Sequence, residues 1–373
     1  MKRAIDVQSA MEFSHQVTTV TAPAQGLITQ FQYNLSVDTL TSIQTFICLL
    51  GLITNTINIK TFLAMRAFDD GVTLTFLILS VSDLCVCIAS VANCICIFLV
   101  SLESKWLFKV TNDINFTNND NKLGYLFPIE PRSIGIFCFT ALHIFGLITI
   151  LLTIYLAVAR CLCVMYPLKF QNIITVRKTV FVSAMFFLSS FGIRIPLMAH
   201  YGVSYRFDPR INATRYRLSV HPNRRMITDA ILDSVDTPAY LGAQVVLTVS
   251  IAIMARVLGA AAEFRSTASL PNGSNSDMNK SKNKLSTKDA RIIKQLVLVS
   301  SIFIICNTPR IVTYCATSIE PEFAIGGRYQ VLHRISLSTI GLFNTINSSV
   351  NIFVYFFYNS KFKNILTKVE SAS

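Results

Sequence analysis

Asn55, Asp83, Asn347 and Asn351 fall inside long apolar stretches and Arg160 at the end of another, where lipid would penalise a charge or an amide. At bilayer depth such a group costs about 3 kcal/mol unless it faces protein or water. Lying on four different stretches, they imply helices that share a polar core. A carboxylate ringed by amides can hold a small cation, line an ion path, or lace helices together by hydrogen bonds. Asn347 and Asn351 are four apart and so share a helical face. Thr149 and Ser348 add hydroxyls, and a buried Asp83 needs such partners. Arg310, just past Pro309, is a further intramembrane charge. Asn307, Arg310 and Tyr314 follow i, i+3, i+7 along one helical stripe. A guanidinium there suits a carboxylate or phosphate; it could equally snorkel outward or pair with Glu320 or Glu322. His143 alone is more often a core residue than a ligand group.

The elements that must position these residues are seven apolar stretches, at 41–65, 72–99, 133–158, 178–199, 237–258, 292–318 and 333–357. Each is long enough to cross a ~30 Å hydrocarbon core as a helix. The chain of 373 residues is 52% hydrophobic and only 14% charged, against about a quarter charged for a soluble domain. An all-α membrane protein, a seven-transmembrane helix bundle, is the expected fold. A tail over 1–40 precedes the bundle at 41–357, and a short segment at 358–373 follows it. Lys2 and Arg3 lead into a polar run, so no signal-peptide pattern is expected and the first helix directs its own insertion.

The net charge of +13 would fit a nucleic-acid partner, but its distribution argues against one. Basic residues flank the stretches on one side, at Lys169, Arg177 and Lys178, from Arg256 to Lys294, and at Lys361, Lys363 and Lys368. The positive-inside rule makes those loops, including 259–290, cytoplasmic. Seven crossings then put the N-terminus outside, in a multi-pass plasma-membrane protein with lipid as its surroundings. Sequons at Asn34, Asn115 and Asn212 fall on the same outer side and are candidate glycosylation sites. The basic connection 200–236 could be cytoplasmic by charge alone; the parity of the crossings and Asn212 put it outside.

Four of the ten cysteines crowd the second stretch, at Cys85, Cys87, Cys94 and Cys96. Cys-x-Cys on a helix points its thiols about 200° apart, poor geometry for a shared metal. The sequence has no Gly-rich phosphate loop, no His-Glu-x-x-His and no nucleophile elbow, so an enzyme is not expected. No internal repeat or matched pair of broken helices marks a transporter.

Five segments, in order, resemble the rhodopsin-like (class A) G-protein-coupled receptors. They are Gly51 with Asn55; Leu79 with Asp83; Ala159-Arg160-Cys161 followed by Pro167-Leu168; Phe303, Cys306 and Pro309; and Asn347-Ser348-Ser349-Val350-Asn351 leading to Tyr355. Phe362 stands where the family begins a short amphipathic helix along the membrane. The segment Ala159 to Lys169 looks most like the expanded chemosensory or orphan peptide-like receptors of molluscs and other invertebrates. Departures occur at switch positions: Ala159 replaces the family's acid, Asn307 its tryptophan and Ile352 its proline. No cysteine lies between Cys163 and Cys306, so the family's outer-loop disulfide cannot form.

The resemblance implies an extracellular ligand and a heterotrimeric G protein as partners, with no cofactor other than a bound sodium ion. The ion would sit at Asp83, among Asn55, Thr149, Asn347, Ser348 and Asn351; the same residues could instead be a packing network without an ion. Ligand contacts would come from Leu142, His143, Gly146, Tyr240, Gln244, Asn307, Arg310, Tyr314, Leu337 and Gly341. Leu142 stands where amine receptors carry an aspartate and Thr345 where opsins carry lysine, so neither an amine nor retinal is expected. With the arginines of 200–236, Arg310 favours an anionic small molecule or peptide. Arg160, Asp289, Pro167, Pro309 and Tyr355 would form the activation switch and G-protein contact, with an Arg160–Asp289 pair as latch; Asp289 could instead be solvated beside Arg291 or Lys288. The alternatives to a coupling receptor are a seven-helix transporter or channel, and a receptor-like protein that couples poorly.

Overall fold

A capping box starts the first helix earlier than hydropathy does. The Gln32 amide donates to the Thr29 hydroxyl while the Thr29 amide donates to the Gln32 side chain, satisfying two amides that a helix start leaves unpaired. The helix α1 (Gln30–Ala64) therefore takes in polar residues ahead of the apolar stretch at 41–65. The computed structural model describes residues 29–112, 128–165, 174–208, 213–220, 231–268, 287–323 and 327–370. After α1 come α2 (Gly71–Asn112), α3 (Pro131–Met165) and α4 (Val176–Ala199). A two-stranded hairpin follows, β1 (Tyr201–Asp208) and β2 (Ala213–Val220), then a π-turn at Leu232–Asp236 that feeds α5 (Thr237–Ala268). The chain ends in α6 (Thr287–Ile319), α7 (Gln330–Ser349), α8 (Asn351–Tyr358) and α9 (Ser360–Glu370).

Among the described residues seven spans are long and apolar enough to cross a membrane, α7 and α8 together supplying the seventh. The protein is a multi-pass, all-α seven-helix bundle, as the apolar stretches led one to expect. Its helices overrun those stretches. Residues 100–112 contain neither Gly nor Pro, and α2 simply continues through them; a helix has no reason to stop where hydropathy does.

α3 is the central element, packing on α2, α4, α5 and α6. At one end of the bundle Phe62, Phe76, Tyr355 and Phe362 form an aromatic cluster with Met65, Leu74 and Leu156. It ties α9 to the bundle. Phe362 is buried and Ile365 and Leu366 pack beside it, whereas Lys363 and Asn364 on the other face are exposed. Lys361 donates to the Met65 carbonyl at 3.2 Å. α9 is thus an amphipathic helix held against the end of α1.

The hairpin was not foreseen; the sequence showed only a basic outer connection. Its register pairs Arg206 with Arg215 and Ser204 with Arg217, so the arginines share one face and Val203, Tyr205 and Phe207 take the other. Arg215, 1% exposed, lies 2.8 Å from Glu103 of α2 and 3.9 Å from Glu130. Arg217 lies 3.4 Å from Glu130. The Tyr216 amide donates to the Pro128 carbonyl at 2.9 Å and the Glu130 amide to the Tyr216 carbonyl at 3.0 Å. Ions and backbone together fasten the hairpin to the start of α3. Arg215→Ala strands the Glu103 carboxylate, while Glu130 keeps Arg217 and the Ser133 hydroxyl, and should cost about 3–5 kcal/mol; Arg217→Ala, at a half-exposed site, should cost under about 1 kcal/mol. Denaturation of both variants in one detergent checks the contrast.

Candidate functional site

Two buried polar clusters lie along the bundle. The inner one is built around Asp83 of α2, which is wholly buried. Asn351 donates to one Asp83 oxygen at 2.7 Å and the Thr149 hydroxyl to the other at 3.2 Å. Ser82 shares a hydrogen bond with Thr149 at 3.0 Å and reaches the Phe145 carbonyl of α3 at 3.1 Å. The Ser348 hydroxyl is a further partner of Asp83. Asn347 is buried, yet its side chain makes no hydrogen bond among the described residues. The structure therefore brings Asp83, Thr149, Ser348 and Asn351 together, and leaves Asn347 at the margin.

Asn55 joins the cluster by an indirect route. Its amide donates to the Gly51 carbonyl at 3.0 Å and to the Ser348 carbonyl at 2.8 Å. Thr54 donates to the Ser349 carbonyl at 3.2 Å. In an unbroken helix those two carbonyls would accept from the amides of Ile352 and Phe353. Instead the Phe353 amide turns to Val350, at 3.1 Å, and the helix breaks between Ser349 and Asn351. Donors from α1 thus accompany a break at a site where the chain has Ile352 and no proline. Gly51 permits the approach, since a Cβ there would collide with the Ser349 hydroxyl and the Cys87 thiol.

The outer cluster contains residues that sequence reasoning missed. Arg194 of α4 donates to Asp236, at the end of the π-turn, at 2.5 Å. His143 of α3 stands 3.7 Å from the second Asp236 oxygen, edge-on to Phe139. Tyr240, one turn past Asp236, lies under the Arg310 guanidinium at 4.0 Å from its ring centre. Arg310 also meets the Tyr314 hydroxyl. A Cβ on Gly146 would reach van der Waals contact with the Tyr240 hydroxyl, at 3.6 Å. The signal for Arg194 was available: a lone arginine in an apolar helix demands a partner as Arg310 does. Asp236 was hidden because it sits at the edge of a charged loop.

Arg310 is 7% exposed, and among the described residues it pairs with no carboxylate, Glu320 and Glu322 included. Gln244 donates to the Ile304 carbonyl at 3.4 Å, and Asn307 to the Phe303 carbonyl of its own helix at 3.0 Å. Leu142 and Leu337 are half-buried. Gly341 faces Gln44 of α1, where a Cβ would stand 3.1 Å from the amide oxygen. Pro309 sits inside α6, which continues through it, and Tyr355 belongs to the aromatic cluster. Arg160 lies on α3 and Asp289 on α6, but both side chains, like Pro167, fall outside the described residues. So do Asn115 and Asn212, while Asn34 is exposed on α1. Among the described residues no cluster of His, Cys, Asp and Glu could hold a metal ion.

No family model matches the chain, and no curated protein matches it.

Two outcomes follow from the hydrogen bonds. Asn55→Leu leaves the Ser348 carbonyl short of its donor and should cost about 1–3 kcal/mol. Arg194→Leu and Asp236→Leu should each cost about 3–5 kcal/mol by stranding a buried charge, and the double variant should recover much of that loss. Thermal unfolding of the four proteins in one detergent completes the cycle.

Proposed function

We propose that this membrane protein is a receptor that binds an extracellular anionic ligand and activates a heterotrimeric G protein. The observation that carries the reading is the meeting of Asn55, Asp83 and Asn351, three residues on which the resemblance rests, around one break in the seventh span. Such a network joins α1, α2, α3 and α7 through few bonds, which is what a two-state element needs. In this reading the N-terminus is outside at the plasma membrane and the 259–290 loop and α9 face the cytosol. Ligand at the outer cluster shifts α6 about Pro309, and the inner ends of α3, α5 and α6 open around Arg160, Pro167 and the basic start of α6. A sodium ion would be held by Asp83, Thr149 and Ser348, hard oxygen donors of the kind such a cation takes. It would supply positive charge to the buried carboxylate.

The buried charges Arg194, Asp236 and Arg310 also favour a second reading, a transporter or channel, because such groups mark ion paths. Ligand-driven nucleotide exchange on a G protein, with no substrate-dependent current or uptake, is the result that separates the two. Asp289→Ala should raise basal exchange about fivefold at equal surface expression, the effect of removing a ~1 kcal/mol latch to Arg160. Unchanged basal exchange would reject that latch. Asp83→Asn should abolish the dependence of ligand affinity on sodium.

A further inference from the structure

We infer that the outer cluster binds a small acidic amino acid: two carboxylates met by Arg310 and Arg194, and an ammonium met by Asp236. This deepens the anionic-ligand reading above and rests on it for the location of the ligand.

The inference comes from what the cluster leaves unsatisfied. Arg194 Nε, Asp236 Oδ2 and Arg310 Nη1 are buried without a hydrogen-bond partner among the described residues. Their residues are 4%, 1% and 7% exposed. Gln244 Oε1, on the same side of α5 one turn past Tyr240, is a fourth such atom. Native interiors leave few polar atoms unpaired, so four on α4, the π-turn, α5 and α6 form a pattern.

The charges give the sign. Arg194 is matched by Asp236 through its Nη2. Among the described residues Arg310 has only the Tyr240 face and the Tyr314 hydroxyl. A ring face attracts a desolvated cation but does not replace the carboxylate that a buried guanidinium ordinarily needs. With His143 counted as neutral and 3.7 Å from Asp236 Oδ2, beyond hydrogen-bond length, the cluster is one positive charge in excess, with two donors and one carboxylate oxygen that make no hydrogen bond. An acidic amino acid carries the complement: net charge −1, two acceptor groups and one donor. A plain dicarboxylate would leave the Asp236 oxygen unpaired, and an amine without the second carboxylate would leave Arg310 unmatched.

The test uses the full chain in lipid nanodiscs and reads the thermal midpoint with L-glutamate, L-aspartate, glutarate (no ammonium) and 4-aminobutyrate (no second carboxylate). The expected result is stabilisation by one of the two amino acids, with the other two probes at least about tenfold weaker, the loss of one good charged contact. Arg310→Gln should remove the response. Asp236→Asn should narrow the gap between L-glutamate and glutarate, a change of preference that a merely structural role would not produce. If Asp236→Asn does not fold, Arg310→Gln decides. No shift with any probe, or an equal shift in wild type and Arg310→Gln, overturns the inference. Stabilisation without nucleotide exchange on any G protein would sink the receptor reading and leave this site standing. Exchange driven by an uncharged ligand and indifferent to Arg310→Gln would overturn this site and the anionic ligand while leaving G-protein coupling standing.

Discussion

The arrangement depends on how Asn55 spends its two amide hydrogens. One goes to Gly51 within α1, the other to the Ser348 carbonyl of α7. In hydrocarbon neither the amide nor that carbonyl can turn to water, so the bond fixes α1 against α7. It also diverts a carbonyl from the helical ladder, and Thr54 does the same to the next one. The seventh span breaks at Val350, and Asn351, first in the resumed helix, reaches Asp83 at 2.7 Å. Without the small Gly51 surface α1 could not come close enough to begin the sequence of contacts.

A different solution holds the hairpin end of the bundle. A buried ion pair is weak as a source of stability, because desolvation consumes most of the attraction, but one broken partner is costly. Arg215 between Glu103 and Glu130 therefore acts mainly to fix where the hairpin lies. The backbone bonds from Pro128 and Glu130 to Tyr216 set its register against the start of α3. A segment that carries no cysteine is positioned without a cross-link.

The seven spans were legible because apolar length is a property of the chain alone. Asn55, Asp83 and Asn351 were legible for the same reason in reverse: an amide or carboxylate in lipid must have a partner, and few candidates exist. Asn347 shows the limit of that reasoning, since sharing a face with Asn351 did not bring it a bond to Asp83. Arg194 obeyed the same rule and was passed over inside its helix, while its partner Asp236 was counted with a loop. The hairpin was illegible because its strands are stabilised by charges far away in sequence, Glu103 above all. The early start of α1 was written in Thr29 and Gln32, a local signal that hydropathy does not weigh.

The two polar clusters share one element. His143 and Gly146 of α3 border the outer cluster and Thr149 belongs to the inner one, six residues from His143, a rise of about 9 Å along the helix. Between them α3 packs on α2 through Leu79, Ile144 and Ile148, and Leu152 continues the contact past Thr149, a tight apolar contact that transmits displacement and absorbs little of it. His143 and the Thr149–Asp83 bond therefore lie on one tightly packed segment of α3. Yet proximity alone does not couple two sites; a ligand shifts the inner cluster only by as much as it binds one arrangement of α3 better than another. Asp236 supplies such a difference. It is bound to Arg194 on α4 and faces His143 on α3, so a ligand that claims its free oxygen changes what holds α3 beside α4 and α5.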